Sequence, residues 1–278
     1  MFAGSPLNME KTAPFPIWDG VGENILLVNG DMDSQASVIS SVAQSLSDCG
    51  YQIELHSYSR NRTCRMKQQY LNDYWVNTDV NAFCCRMQEL LDRPQKNRLV
   101  ILMGLDYLLE EAEVLSQLPQ SEVKKEAERK VDLFSQLQLL KSGEKKVSDI
   151  PQLNAELEAA DRNKNKGITM RAKHIREDIK QLLILGPKAG LHFLLVADDA
   201  EAFTRCSLDK KMFRHKLVFR TDANSSYELL GNRKAAELEN GNFLYVQAQN
   251  MRLLRPYLYQ GMTIDGWKYQ DNGTIELT

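Results

Sequence analysis

Ile25-Leu26-Leu27-Val28-Asn29-Gly30-Asp31-Met32-Asp33-Ser34-Gln35-Ala36-Ser37 decides the fold of this 278-residue chain. The four apolar residues predict a strand buried on both faces. The polar stretch that follows predicts a turn, and Val38 to Leu46 has helical periodicity. A strand, a turn and a helix in that order open a doubly wound α/β sheet. They also have the outline of the phosphate-binding pattern G-x-x-x-x-G-K-[ST]. Gly30 keeps its first glycine and Ser37 its hydroxyl, while Gln35 replaces the second glycine and Ala36 the lysine. The candidate nucleotide-binding residues are therefore Gly30, Asp31, Ser34, Gln35, Ala36 and Ser37.

The substitutions act on the chemistry of the pattern. The lysine would place a positive charge on the β- and γ-phosphates, and the glycine would let the loop amides curl toward them. Asp31 and Asp33 add two carboxylates. A like charge ~5 Å away costs ~3 kcal/mol at an effective dielectric of ~20. A helix N-terminus returns only about 0.3–2 kcal/mol. The alternative reading is an ordinary turn in which Asp31, Asp33 or Ser34 caps the helix.

Outward from this stretch, strands and helices alternate. Gly50 suits a helix C-terminus, and Tyr51 to His56 alternates as a second strand. Val80 to Leu91 reads as a helix, and Arg98 to Met103 as a central parallel strand. Leu105 to Gln181 is helical and rich in Lys and Glu at helix-pair spacings. Met170 to Leu185 ends at Gly186-Pro187, and Gly190 to Asp198 and Lys216 to Arg220 are further strands. Ser225 to Leu230 is a short helix, and Asn242 to Val246 with Met251 to Pro256 a terminal hairpin. The whole predicts a mostly parallel sheet flanked by helices, in one domain over 1–278. Residues 1–23 lead into it without a buried element, and residues 110–180 form a charged helical insertion. The chain reads as excised from something longer.

Composition narrows the function. A net charge of −2 gives no global basic footprint, which disfavours a protein that coats nucleic acid. The five cysteines form no C-x-x-C pair and the four histidines do not cluster with them. Metal ligation is not expected, and buried thiols in a reducing compartment are. No apolar run is long enough to span a bilayer, so direct membrane insertion is not expected.

Candidate catalytic residues come from strand ends, which line the ligand crevice of open α/β sheets. A working phosphate-loop ATPase carries acids at the end of the strand beside the loop strand. The matching strand here ends Leu102-Met103-Gly104-Leu105-Asp106, with Asp106 late by two or three residues. Asp106 reads as a reach to magnesium, or as a helix cap or a solvent-facing acid. Asp198 and Asp199 read as facing a nucleotide, or as caps for the helix near Glu201. His192 reads as a core histidine. Arg220 and Arg233 are candidates for an arginine finger or an interface. Tyr70, Tyr74 and Trp75 near Arg62 and Arg65 suit base stacking or helix packing.

The C-terminal half resembles the FtsK/SpoIIIE motor ATPases. Gly190-Leu191-His192-Phe193-Leu194-Leu195-Val196-Ala197-Asp198-Asp199 is similar to their G-I-H-L-I-L-A-T-Q-R stretch. Lys216 to Leu230 and then Gly241-Asn242-Phe243-Leu244-Tyr245 follow in the family's order and spacing. The resemblance implies a RecA-like P-loop NTPase fold. The departures at Gln35, Ala36, Met103, Gly104 and Asp199 resemble the degenerate last motor domains of multi-domain members, as in type VII secretion ATPases. They imply a translocase domain that works in assembly, regulation or cargo binding with hydrolysis weak or lost, and with ATP and magnesium as weakened ligands. The implied partners are adjacent motor domains, a homo-oligomeric ring, and double-stranded DNA or a secreted protein as cargo. The implied location is cytoplasmic, with any membrane tether in other parts of a parent protein. Two rivals stand beside this: an active ATP-driven DNA or protein translocase, and a DNA-binding module of a defence or mobile-element system.

Overall fold

The computed structural model describes residues 1, 3–7, 15–58, 75–77, 80–117, 174–248, 250–257, 263–264, 267–269 and 275–277. The chain divides into two compact units, Met1–Leu109 with Arg176–Thr278, and Glu110–Ile175. Most of the second unit, and so most of the expected insertion, lies outside the described residues.

The first unit is built on a nine-stranded sheet. In chain order its elements are β1 (Ser5–Pro6), β2 (Ile25–Val28), α1 (Met32–Asp48), β3 (Gln52–Ser57), β4 (Trp75–Asn77), α2 (Val80–Asp92) and β5 (Arg98–Met103). Then come α3 (Leu105–Gln117), α4 (residues 174–185), β6 (Leu191–Ala197), α5 (Ala200–Arg205) and β7 (His215–Phe219). The unit ends with α6 (Ala223–Leu230), β8 (Phe243–Gln247) and β9 (Asn250–Arg255). Strands β10 (Thr263–Ile264), β11 (Trp267–Tyr269) and β12 (Ile275–Leu277) form a separate antiparallel sheet that sequence patterning did not predict.

The strand order is β1-β9-β8-β7-β2-β6-β5-β3-β4. The six strands from β7 to β4 are parallel, and β8, β9 and β1 add an antiparallel wing. Strand β2 lies at the centre: Ile25 pairs with Leu194 of β6 on one side and His215 of β7 on the other. One expectation is corrected here. The strand ending in Met103 does not lie beside the loop strand, because β6 pairs with both β2 and β5. The strands that do flank β2, β6 and β7, are followed by Asp199 and Asp222. Local periodicity identifies strands but carries no record of their neighbours.

Burial explains the centre. All four residues of β2 and all seven of β6 are buried. Ile25 and Leu27 alternate onto the face that packs Val38, Ile39, Val42 and Leu46 of α1. Each buried aliphatic side chain contributes about 1.5–3 kcal/mol.

One expectation about the N-terminal half fails. Helix α1 begins at Met32, not Val38, so the last six residues of the expected loop, Met32 to Ser37, are helical. Before β2, Met1, Ala3 and Phe15 are buried, while the short strand β1, exposed at Ser5 and half-buried at Pro6, pairs antiparallel with β9. Short residues next to a proline carry no hydrophobic period, yet they complete the edge of the wing.

Candidate functional site

Three residues connect β2 to α1. Asn29 and Gly30 both have left-handed backbone, at φ 64° and 101°. The Asn29 amide donates to the Ala197 carbonyl at 3.1 Å, and its side-chain Nδ2 donates to the Arg220 carbonyl. Asn29 thereby ties the turn to the ends of β6 and β7. Gly30 lies against the Phe219 ring, where a Cβ would come within 2.8 Å of Cδ2. Both its conformation and its surroundings require glycine.

Asp31 is the N-cap of α1. Its Oδ1 accepts the Ser34 amide at 2.9 Å and its Oδ2 accepts the Ser34 hydroxyl at 2.7 Å. The Gln35 amide donates to the Asp31 carbonyl at 3.0 Å, as the first helical bond. Burial alone would raise the Asp31 carboxyl, but the Ser34 hydrogen bonds outweigh it and hold it below its ordinary value. Gln35 is only 1% exposed, and its Nε2 donates to the Asn29 carbonyl at 2.7 Å. Ala36 and Ser37 are buried, and the Ser37 hydroxyl donates to the Tyr257 carbonyl. Of the capping candidates, the structure selects Asp31.

Two more helices that follow parallel strands start in the same way. After β6, Asp199 is exposed and caps α5, its Oδ1 accepting the Ala202 amide at 2.6 Å. After β7, Asp222 caps α6, its Oδ1 accepting from Asn224 at 2.9 Å and Ser225 at 3.0 Å. The positive ends of α1, α5 and α6 are thus each matched by a carboxylate of the chain itself.

Asp106 departs from the readings of a helix cap or a solvent-facing acid. It lies in the first turn of α3, 4% exposed, and neither caps the helix nor faces solvent. Its Oδ2 accepts from Arg205 of α5 twice, from Nη2 at 2.6 Å and Nε at 3.2 Å. The Arg205 guanidinium also sits over the Tyr107 ring, 5.9 Å from its centroid. The hydrogen bond with Asp106 raises the Arg205 pKa further. Arg220 is exposed at the end of β7 and donates to Asn240 Oδ1 at 3.2 Å. Arg233 is exposed in the stretch after α6. Tyr70, Tyr74, Arg62, Arg65 and the Trp75 side chain lie outside the described residues.

Two buried polar clusters were not singled out from sequence. Where the central strands β2 and β7 begin, Glu23 receives His215 Nε2 at 2.8 Å and Arg214 at 2.7 Å. His215 Nδ1 is 2.8 Å from the Tyr245 hydroxyl. Burial lowers the His215 pKa despite Glu23 and raises that of Tyr245. A neutral imidazole therefore donates from Nε2 to Glu23 and accepts from Tyr245 at Nδ1. His192 is fully buried and bonds the Glu23 carbonyl at 2.7 Å, as a core histidine does. On β3, buried Glu54 binds His56 at 2.7 Å, Arg86 at 2.9 Å and Arg98 at 2.8 Å. Burial opposes its ionisation, but these partners bring its pKa down to about 2. The only local signal for this cluster was Glu54 and His56 on either side of the buried Leu55 in a strand of alternating polar and apolar residues.

Among the described residues, no group of three or more His, Cys, Asp or Glu side chains is arranged to hold a metal ion, and no helix is long and apolar enough to cross a membrane. No protein-family model and no curated protein sequence matches the chain. Solved structures do. The pCW3 conjugation coupling protein TcpA, in its monomer form with ATPγS, matches 87% of this chain at 12% identity, with a TM-score of 0.53. The cytoplasmic domain of the type VII secretion ATPase EccC of Thermomonospora curvata matches 95% at 12% identity, with a TM-score of 0.55. This chain spans 62% of the TcpA chain and 29% of the EccC chain. It therefore has the P-loop ATPase fold shared by TcpA and EccC, as its resemblance to the FtsK/SpoIIIE motors implied.

Proposed function

We propose that this chain is a domain of an FtsK/SpoIIIE-type translocase that keeps the motor fold without hydrolysing ATP. It acts by docking, on adjacent motor domains, on identical subunits in a ring, or on cargo. The observation that carries this reading is the start of α1 at Met32 under an Asp31 cap. A phosphate loop works by turning several amides toward one anion. Here the Ser34 and Gln35 amides are bonded to Asp31, and the Gln35 side chain fills the turn against Asn29. A buried Ala36 stands in the place of the lysine, and the Ser37 hydroxyl is engaged by Tyr257. Asp106, the candidate for magnesium, is held by Arg205. The residues present do not fit a magnesium triphosphate, and no catalytic step is derived through one.

The docking role is supported by the fold and by length. EccC carries this fold within a chain of which the present one spans 29%. In this reading residues 110–180 are a partner-facing insertion, and Arg220 and Arg233 are interface cations. The test is a titration with a fluorescent ATP analogue, with and without magnesium, beside a phosphate-release assay. Weak, magnesium-independent binding and no turnover above buffer are expected. Micromolar, magnesium-dependent binding, or turnover abolished by Ser37→Ala, would restore the active translocase.

A further inference from the structure

We propose that the crevice over α1 holds a ligand supplied by the chain itself: the segment leaving β9, Pro256 and Tyr257, seated with its main chain on Ser37. This rests on the reading that the turn after β2 holds no nucleotide, and it names what fills the place.

Three observations converge on the segment. The first is the hydrogen bond from the Ser37 hydroxyl to the Tyr257 carbonyl. Ser37 is a buried polar side chain, so its hydroxyl requires an acceptor. Its neighbours Ser40 and Ser41 find theirs one turn back on their own helix, at the Ala36 and Ser37 carbonyls. Ser37 reaches across to the far end of the sheet wing. In the phosphate-loop pattern this hydroxyl serves the metal ion. Here the same hydroxyl instead donates its proton to a peptide carbonyl that the chain itself supplies.

The second observation is burial. Leu254 is 2% exposed, Pro256 is buried and Tyr257 is half-buried, so the chain does not leave the domain at the end of β9. Proline at 256 has no amide hydrogen to leave unbonded in that position.

The third is a clamp on the other side. Strand β1 pairs Ser5 with Arg255 and Pro6 with Leu254. Just before it, Gly4 lies so close that a Cβ would meet the Arg255 carbonyl at 2.5 Å and the Phe243 ring at 3.0 Å. The N-terminal strand thus fixes the end of β9 from its outer edge. The clamp β1, the helix α1 and the strap after β9 all belong to the same unit.

The carbonyl that Ser37 holds belongs to the bond chymotrypsin cuts after Tyr257. Limited chymotrypsin digestion of the full chain, with sites assigned by mass spectrometry, reads the strap directly. Loss of one hydrogen bond corresponds to a rise of about two- to tenfold in cleavage at Tyr257 for Ser37→Ala. Cleavage at exposed Tyr107 serves as the control and should not change. Ser37→Thr, which keeps the hydroxyl, should cut like the wild type. An unchanged rate at Tyr257 overturns the proposal. So does a parallel rise at both tyrosines, because the strap would then have no stability of its own. Nucleotide binding by the wild-type protein would instead sink the reading of the turn, and it is measured separately.

Discussion

Replacing Asp31 by asparagine removes a negative charge and keeps a capping oxygen, so it separates the two roles the turn after β2 has been given. If Asp31 serves as the cap of α1, stability follows the hydrogen bonds to Ser34 at 2.9 and 2.7 Å. Asp31→Asn should then stay within about 0.5 kcal/mol of wild type, while Asp31→Ala loses about 1 kcal/mol. That corresponds to about 2–4 °C in Tm for a domain of this size. If the turn were a working phosphate cradle, the charge would dominate. A carboxylate ~5 Å from a phosphate costs ~3 kcal/mol at an effective dielectric of ~20, so its removal would tighten ATP binding by ~100-fold or more. Urea denaturation and an ATP-analogue titration on the same two variants decide between them. Asp31→Asn should leave nucleotide binding as weak as in the wild type, because the Ser34 and Gln35 amides stay inside the helix. A gain of ~100-fold would refute the helical reading of this turn. The pH dependence has a defined sign. The folded Asp31 pKa is depressed, so the cap contributes above the unfolded value and is lost as pH falls through the folded one. The wild-type and Asp31→Ala melting curves should therefore converge in acid.

Glu54→Leu leaves Arg86 and Arg98 facing a buried site without their carboxylate, and urea denaturation should show a loss of about 3–5 kcal/mol. In the wild-type protein the Glu54 contribution is complete above its ordinary carboxyl range and disappears as pH falls toward about 2, which acid titration followed by circular dichroism will detect. Gly30→Ala meets both a left-handed backbone and the Phe219 ring, and should cost about 2–4 kcal/mol; Gly231→Ala, with φ 75° and open space, should cost only about 1 kcal/mol in the same assay. Arg205→Met strands the buried Asp106 carboxylate and should cost about 3 kcal/mol at neutral pH.

Much of the sheet was readable because buried parallel strands leave continuous apolar runs. Arg98–Met103 was bounded correctly at both ends, and β6, β7 and the β8–β9 hairpin were found within a residue or two. The start of α1 was missed because Gly30 and Ser37 fit a phosphate-loop spacing, while the competing signal was a single Asp31 cap. The structure decides for the cap, since Asp31 alone satisfies both the amide and the hydroxyl of Ser34. What sequence did not reveal is long-range. Nothing near Leu99 says that β6 will separate it from β2. Nothing near Asp106 announces Arg205, and nothing near Glu23 announces His215. A buried ion pair is legible only once both partners are placed. The same holds for Ser37, whose hydroxyl fits a metal-binding pattern locally and meets Tyr257 only through the fold.

The central position of β2 has a consequence for synthesis. Its two hydrogen-bonding edges are taken by strands that begin at Leu191 and His215. A nascent chain that has emerged only as far as α3 has made β2, β3 and β5, but β2 still has neither neighbour. Both edges of this apolar strand stay unpaired while the ribosome completes the second unit and the return through α4. Such late closure gives slow folding and a period of exposed, aggregation-prone strand.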